Sequence, residues 1–129
     1  MSDYSKAAEA DIEFPEINSI MTFPAKGYSP VIEWKFPEFQ SLCPVSGRPD
    51  QGVIIMRYKP KEKILESKSI RDYLMMWRNK RNWQEYISEE MAGLFYKSCE
   101  PEWLTVTIDW SPRGGIFAKT ISERGNLFS

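Results

Sequence analysis

Residues 103–110 read Trp-Leu-Thr-Val-Thr-Ile-Asp-Trp, and the strict alternation of Leu104, Val106, Ile108 and Trp110 with Trp103, Thr105, Thr107 and Asp109 is the signature of a half-buried β-strand. Ser111-Pro-Arg-Gly-Gly115 follows as a turn, and Ile116 to Ile121 can pair back as the last strand. Upstream the period changes. Ile87, Met91, Leu94 and Phe95 recur at helical spacing before Pro101, and Ile70, Tyr73, Leu74 and Trp77 do so from Ser69 onward. The polar stretch Asn79-Lys80-Arg81-Asn82 separates the two helices. Further upstream, Gly52 to Tyr58 reads as a strand ended by Lys59-Pro60, and Val31 to Phe36 as a strand that stops at Pro37. The order is therefore ββααββ. It predicts an α+β fold with one antiparallel sheet covered on one face by two helices.

The chain has 129 residues, 42% of them hydrophobic and 27% charged, which suits one soluble core and leaves little room for a second. Residues 1–25, acidic and interrupted by Pro15 and Pro24, are expected to form an N-terminal arm ordered by a partner, and residues 26–129 the catalytic domain. Neither the first residues nor any later stretch has the apolar length of a signal peptide or membrane span, which points to the cytoplasm and to no membrane partner. A net charge of −1 provides no overall attraction for nucleic acid. The run Arg78-Asn79-Lys80-Arg81 is read as surface charge. Histidine is absent, so imidazole acid–base chemistry and His-ligated metal sites are excluded, and no metal is expected.

Cys43-Pro-Val-Ser-Gly-Arg-Pro-Asp50 is rich in turn formers and reads as a loop between strands. A cysteine in such a loop, with an aspartate that can fold back toward it, is a candidate nucleophile with a proton carrier. On spacing alone the plainer reading stands beside it: Cys43 as a small buried residue and Asp50 as a turn cap. Glu66-Ser-Lys-Ser-Ile-Arg71 leads into the first helix, where hydroxyls and cations can hold phosphate or simply cap and solvate a helix start. Glu85 can accept hydrogen bonds from a guanine-like edge or favour the dipole of the second helix. Cys99 is read as structural.

Four segments in one order resemble the QueF family of 7-cyano-7-deazaguanine reductases: Phe36-Pro-Glu-Phe-Gln-Ser-Leu-Cys-Pro-Val-Ser-Gly-Arg-Pro-Asp50, Glu66-Ser-Lys-Ser-Ile-Arg-Asp-Tyr-Leu74, Arg78-Asn79 and Ser111-Pro-Arg-Gly-Gly-Ile116. The resemblance covers roughly residues 30 to 120. It implies the tunnelling fold, in which ββααββ subunits form stacked homo-oligomeric rings with active sites between neighbours. It further implies that the Cys43 thiolate adds to the nitrile carbon of 7-cyano-7-deazaguanine to give a thioimide, that Asp50 shuttles protons, and that two hydrides from NADPH yield the aminomethyl product of queuosine biosynthesis. The substrate residues it implies are Glu85, Gln84, Trp83, Glu66 and Ser67. Those implied for NADPH are Lys68, Ser69, Arg71, Arg113 and Gly114.

Two departures stand out. Arg71 replaces the family's usual lysine, and Trp83-Gln84-Glu85 replaces Phe-His-Glu, so Gln84 occupies the histidine position without being able to transfer a proton near neutral pH. Two other activities share the covalent step or the binding site: an archaeosine-type transferase that adds ammonia to the thioimide, whose branch generally lacks Glu-Ser-Lys-Ser, and a non-catalytic deazapurine-binding protein.

Overall fold

A computed structural model describes residues 9–126; the first eight residues of the expected arm and the last three of the expected domain lie outside them. Six strands and two helices follow in the order β1 (Thr22–Pro24), β2 (Ile32–Leu42), β3 (Pro49–Lys59), β4 (Lys63–Leu65), α1 (Ser67–Met76), α2 (Gln84–Cys99), β5 (Trp103–Arg113) and β6 (Ile116–Gly125), with a 3-10 turn, Trp77–Asn79, between the helices. The long strands form one antiparallel sheet in the order β2-β3-β5-β6. The ββααββ frame and α+β class expected from the periodicity are present.

Ile54, Met56 and Tyr58 of β3 and Leu104, Val106, Ile108 and Trp110 of β5 form a buried layer with Ile70, Tyr73, Leu74 and Trp77 from the first helical segment and Ile87, Met91 and Phe95 from α2. Each such side chain contributes about 1.5–3 kcal/mol by leaving water. Exposed ion pairs such as Arg57–Glu33 and Lys63–Glu100 add about 0–1 kcal/mol each. The buried layer, not the surface charge, sets stability. Cys99 belongs to it, and burial pushes its thiol up to about 12, as suits a packing residue.

α1 begins at Ser67, two residues before the expected start at Ser69, because the Glu66 carboxylate caps it, accepting from the N–H groups of Lys68 (2.8 Å) and Ser69 (2.7 Å). α2 ends where Glu100 takes a left-handed conformation (φ 46°) ahead of Pro101, a common way to stop a helix.

All four long strands run further than the sequence pattern suggests. β3 starts at Pro49, so Pro49 and Asp50 belong to it and not to the expected loop, and β6 ends at Gly125 rather than Ile121. In β2 and β5 a proline hides the continuation. β2 does not stop at Pro37. Phe36 pairs with Ile54 and Phe39 with Gly52, so Pro37 and Glu38 together oppose Val53 in a β-bulge, one of the few places a sheet accommodates proline. Likewise Ser111 to Gly115 is not wholly a turn. Trp110 pairs with Ala118 and Arg113 with Ile116, so Ser111 and Pro112 oppose Phe117 in a second bulge. Each extra residue changes the phase of the pleat. Trp34 and Phe36 face the core before the first bulge, Phe39 and Ser41 after it; Arg113 shares the face of Trp110 although the two are three residues apart.

The described part of the N-terminal segment packs against its own chain. β1 pairs with β4 as a short ribbon, Ile20 and Ala25 are buried, and the Met21 N–H donates to Ser69 Oγ at 2.9 Å. The Glu13 N–H donates to the Arg81 carbonyl (2.7 Å), and the fully buried Asn82 donates from Nδ2 to the Glu13 carbonyl (3.0 Å). The Asn82 Oδ1 accepts from the Trp83 N–H (2.8 Å), while its own N–H donates to the Leu42 carbonyl (3.0 Å). One residue thus ties the N-terminal segment, the end of β2 and the start of α2 together. Asn82→Ala leaves a carbonyl and an N–H without their side-chain partner and is expected to lower stability by about 2–3 kcal/mol. Urea unfolding checks this: the midpoint falls while the slope of the transition is unchanged.

Candidate active site

The sheet delivers the site's residues through the two phase shifts. Beyond its bulge, β2 runs through Phe39 and Ser41 on the core-facing side and hands the chain to a tight loop at Cys43. The Cys43 N–H donates to the Arg48 carbonyl and the Gly47 N–H to the Cys43 carbonyl, both at 2.8 Å. Gly47 has φ 73°, and a Cβ there would lie 2.6 Å from the Arg81 guanidinium. The left-handed backbone favours glycine, whereas the mobile end of the arginine could yield to a side chain. The loop closes into β3, whose second residue is Asp50.

Cys43 is half-buried and unpaired. Burial raises its thiol pKa, but hydrogen bonds from the Ser46 hydroxyl, from the N–H groups of Ser46 and Val45, and from the Arg113 guanidinium outweigh that and hold it below its ordinary value. Donors aimed at sulfur stabilise the thiolate, the nucleophilic form. Asp50 is 3% exposed, and its Oδ1 accepts from Arg113 Nη1 at 2.5 Å, a charge-assisted bond. Arg113 touches both groups. Burial lowers the guanidinium's pKa, but hydrogen bonds to Asp50 and Cys43 more than offset it and raise the value, keeping the cation in place.

Of the residues proposed from the sequence, Cys43 and Asp50 thus come together through Arg113, which the sequence reading gave to the cofactor. Gln84, the first residue of α2, lines a cleft of about 200 Å³ with Ser111, Arg113, Ile116 and Ala118. Trp83 is the residue before that helix, and Glu85, in its first turn, is exposed. Gly114 forms the β5–β6 turn at φ 57°. Ser67, Lys68 and Arg71 line a second cleft of about 400 Å³ with Trp34, Lys35, Phe36, Ile70 and Leu74, sharing no residue with the first. Glu66 is engaged in capping α1, and Ser69 accepts from the N-terminal segment. The sequence reading missed the contact of Arg113 with Cys43. The signal was Pro112, whose bulge turns the following side chain to the face of Asp50.

Known proteins resemble this chain in sequence and in fold. The family model described as QueF-like protein matches residues 49–127. An NADPH-dependent 7-cyano-7-deazaguanine reductase of Helicobacter pylori is 41% identical over 96 residues, which make up 74% of this chain and 65% of the relative. The aligned part therefore spans just under two thirds of that protein's length. A Chlorobaculum parvum protein of the same name is 39% identical over 95 residues, 74% of this chain and 80% of the relative. Among solved structures, the archaeosine synthase QueF-Like in its apo form superposes with a TM-score of 0.70 at 18% identity, covering 75% of this chain and 95% of that one; at that identity the likeness concerns the fold. With the family model covering more than half of the sequence and a relative near 40% identity aligned over most of its length, the chain belongs to the QueF family.

Proposed function

We propose that this protein reduces the nitrile of 7-cyano-7-deazaguanine to an aminomethyl group with NADPH, through a covalent thioimide on Cys43. The observation that carries the reading is the half-buried Cys43 thiol, held below its ordinary pKa and joined through Arg113 to a buried carboxylate. The reductase names of the relatives support it.

A nitrile carbon is an electrophile suited to a thiolate. Addition makes the C–S bond, breaks one C–N π bond and places negative charge on nitrogen, which takes a proton. With no histidine in the chain and Gln84 beside Arg113, Asp50 is the acid–base group at hand, relaying protons from solvent. Arg113 stabilises the thiolate before addition and again when sulfur departs. NADPH, when bound, supplies hydride; two hydrides and two protons convert nitrile to primary amine. The cleft of Ser67, Lys68 and Arg71 suits such a cofactor, with the cations Lys35, Lys68 and Arg71 for phosphates and the apolar side chains of Trp34 and Phe36 as a wall for a ring. Glu85, exposed in the first turn of α2, is the carboxylate assigned to the base.

We also propose that the protein works as a homo-oligomer. β6 is an edge strand, and Phe117 and Ile121, which share its face away from the core, are 80% and 60% exposed, an apolar patch that a second copy can cover. Among the described residues, no helix is long and apolar enough to cross a membrane.

The test is to mix the protein with 7-cyano-7-deazaguanine, record its intact mass, then add NADPH and follow absorbance. An adduct of substrate mass and two NADPH oxidised per nitrile are expected. An adduct without NADPH consumption, discharged instead by ammonia, would replace reduction by amidine formation, and binding without an adduct would leave a binding protein.

A further inference from the structure

Ser41 is 0% exposed, and its hydroxyl has no hydrogen-bond partner among the described residues. A buried hydroxyl in that state destabilises the fold, and alanine would fill the same place without the penalty. The register puts Ser41 directly opposite Asp50. Paired residues on adjacent antiparallel strands share a face with their Cβ atoms roughly 4.5–5.5 Å apart, which leaves a serine oxygen and a carboxylate oxygen within reach after a χ1 rotation. The neighbour two residues before Ser41 on that face is Phe39, which has no polar atom to offer. Asp50 commits Oδ1 to Arg113, and rotation of the carboxylate off that bond would bring it toward its register partner Ser41.

We propose that Ser41 is a positioning residue for Asp50: its O–H donates to the carboxylate when that group swings off Arg113 to serve the reacting nitrogen. The role in turnover rests on the reductase reading above; the contact itself does not. Two arrangements of one carboxylate then follow. Held by Arg113, it keeps the guanidinium beside the thiol. Held by Ser41, it leaves Arg113 to the sulfur alone and turns toward the substrate.

A double-mutant cycle tests the contact without substrate. Ser41→Ala by itself should leave the Tm equal to or above that of the wild type, since an orphan hydroxyl is removed. In an Arg113→Met background, where the carboxylate has only Ser41 to turn to, the same change should lower the Tm. Additive effects of the two substitutions would overturn the proposal. With nitrile and NADPH, Ser41→Ala should lower kcat roughly tenfold at unchanged KM and move the acid limb of the pH–rate profile, with Ser41→Thr restoring both. Wild-type kcat and profile in Ser41→Ala, or a lower Tm with an unmoved profile, would also overturn it. If the wild-type protein forms no adduct, the reductase reading fails while the cycle still decides on Ser41.

Discussion

Cys43→Ala, incubated with 7-cyano-7-deazaguanine, shows no mass increase and consumes NADPH at least roughly 10⁴-fold more slowly than the wild type, the scale on which removal of a covalent nucleophile acts. The size of the effect follows from the absence of a substitute. Cys99, the other cysteine, is 1% exposed in the core with its thiol pushed up by burial, so it presents neither access nor thiolate. The substitution removes little from the core, because the thiol sits at the site and not among the packed side chains, and the variant should unfold near the wild-type midpoint. Retained turnover in a folded Cys43→Ala protein would eliminate the thioimide route. Peptide mapping of the wild-type adduct should place the added mass on the segment containing Cys43.

Arg113→Met separates the two things that the guanidinium does. Asp50 loses its ion-pair partner while remaining buried, and turnover should fall roughly 10²- to 10³-fold, because the carboxylate can no longer alternate between Arg113 and Ser41 and its relay of protons to nitrogen slows. The effect on sulfur is smaller. Among the contacts that hold the thiol down, Arg113 ranks last, behind the Ser46 hydroxyl and the N–H groups of Ser46 and Val45. The pH profile of Cys43 alkylation by iodoacetamide should therefore move upward, because a donor to the thiolate is lost, but by less than it moves in Ser46→Ala. Arg113→Lys should recover part of the turnover, since charge is kept while the planar fork is not. If Arg113→Met leaves turnover unchanged, the contact with Asp50 is structural only.

The frame of the fold was legible wherever the side-chain pattern keeps one phase. Leu104 to Trp110 announced β5 because each second residue enters the core, and Ile70 to Trp77 and Ile87 to Phe95 announced the helices for the equivalent reason. The reading broke at Pro37 and Pro112. A bulge reverses the alternation, so Trp34 and Phe36 belong to one phase and Phe39 and Ser41 to the other, and a search for a single period ends the strand between them. The ribbon of β1 and β4 was invisible too, since three-residue strands carry no period to detect. At the site, local motifs pointed to Cys43 and Asp50. The link between them comes from Arg113, 63 residues beyond Asp50, and pairing at that distance is a property of the register, which no local pattern contains. Glu66 shows the converse: a motif residue with a functional assignment has its carboxylate engaged by the backbone of its own helix.

The bulge at Pro37 and Glu38 has a consequence for how this chain can vary in length. Because two residues there oppose one, excising either restores plain alternation and leaves Phe39 opposite Gly52 and Ser41 opposite Asp50. The same excision between Phe39 and Leu42 would turn Cys43 toward the opposite side of the sheet. A single-residue deletion is therefore expected to keep the site in register in the middle of this strand and to displace it near the strand's end, although the two places are only a few residues apart.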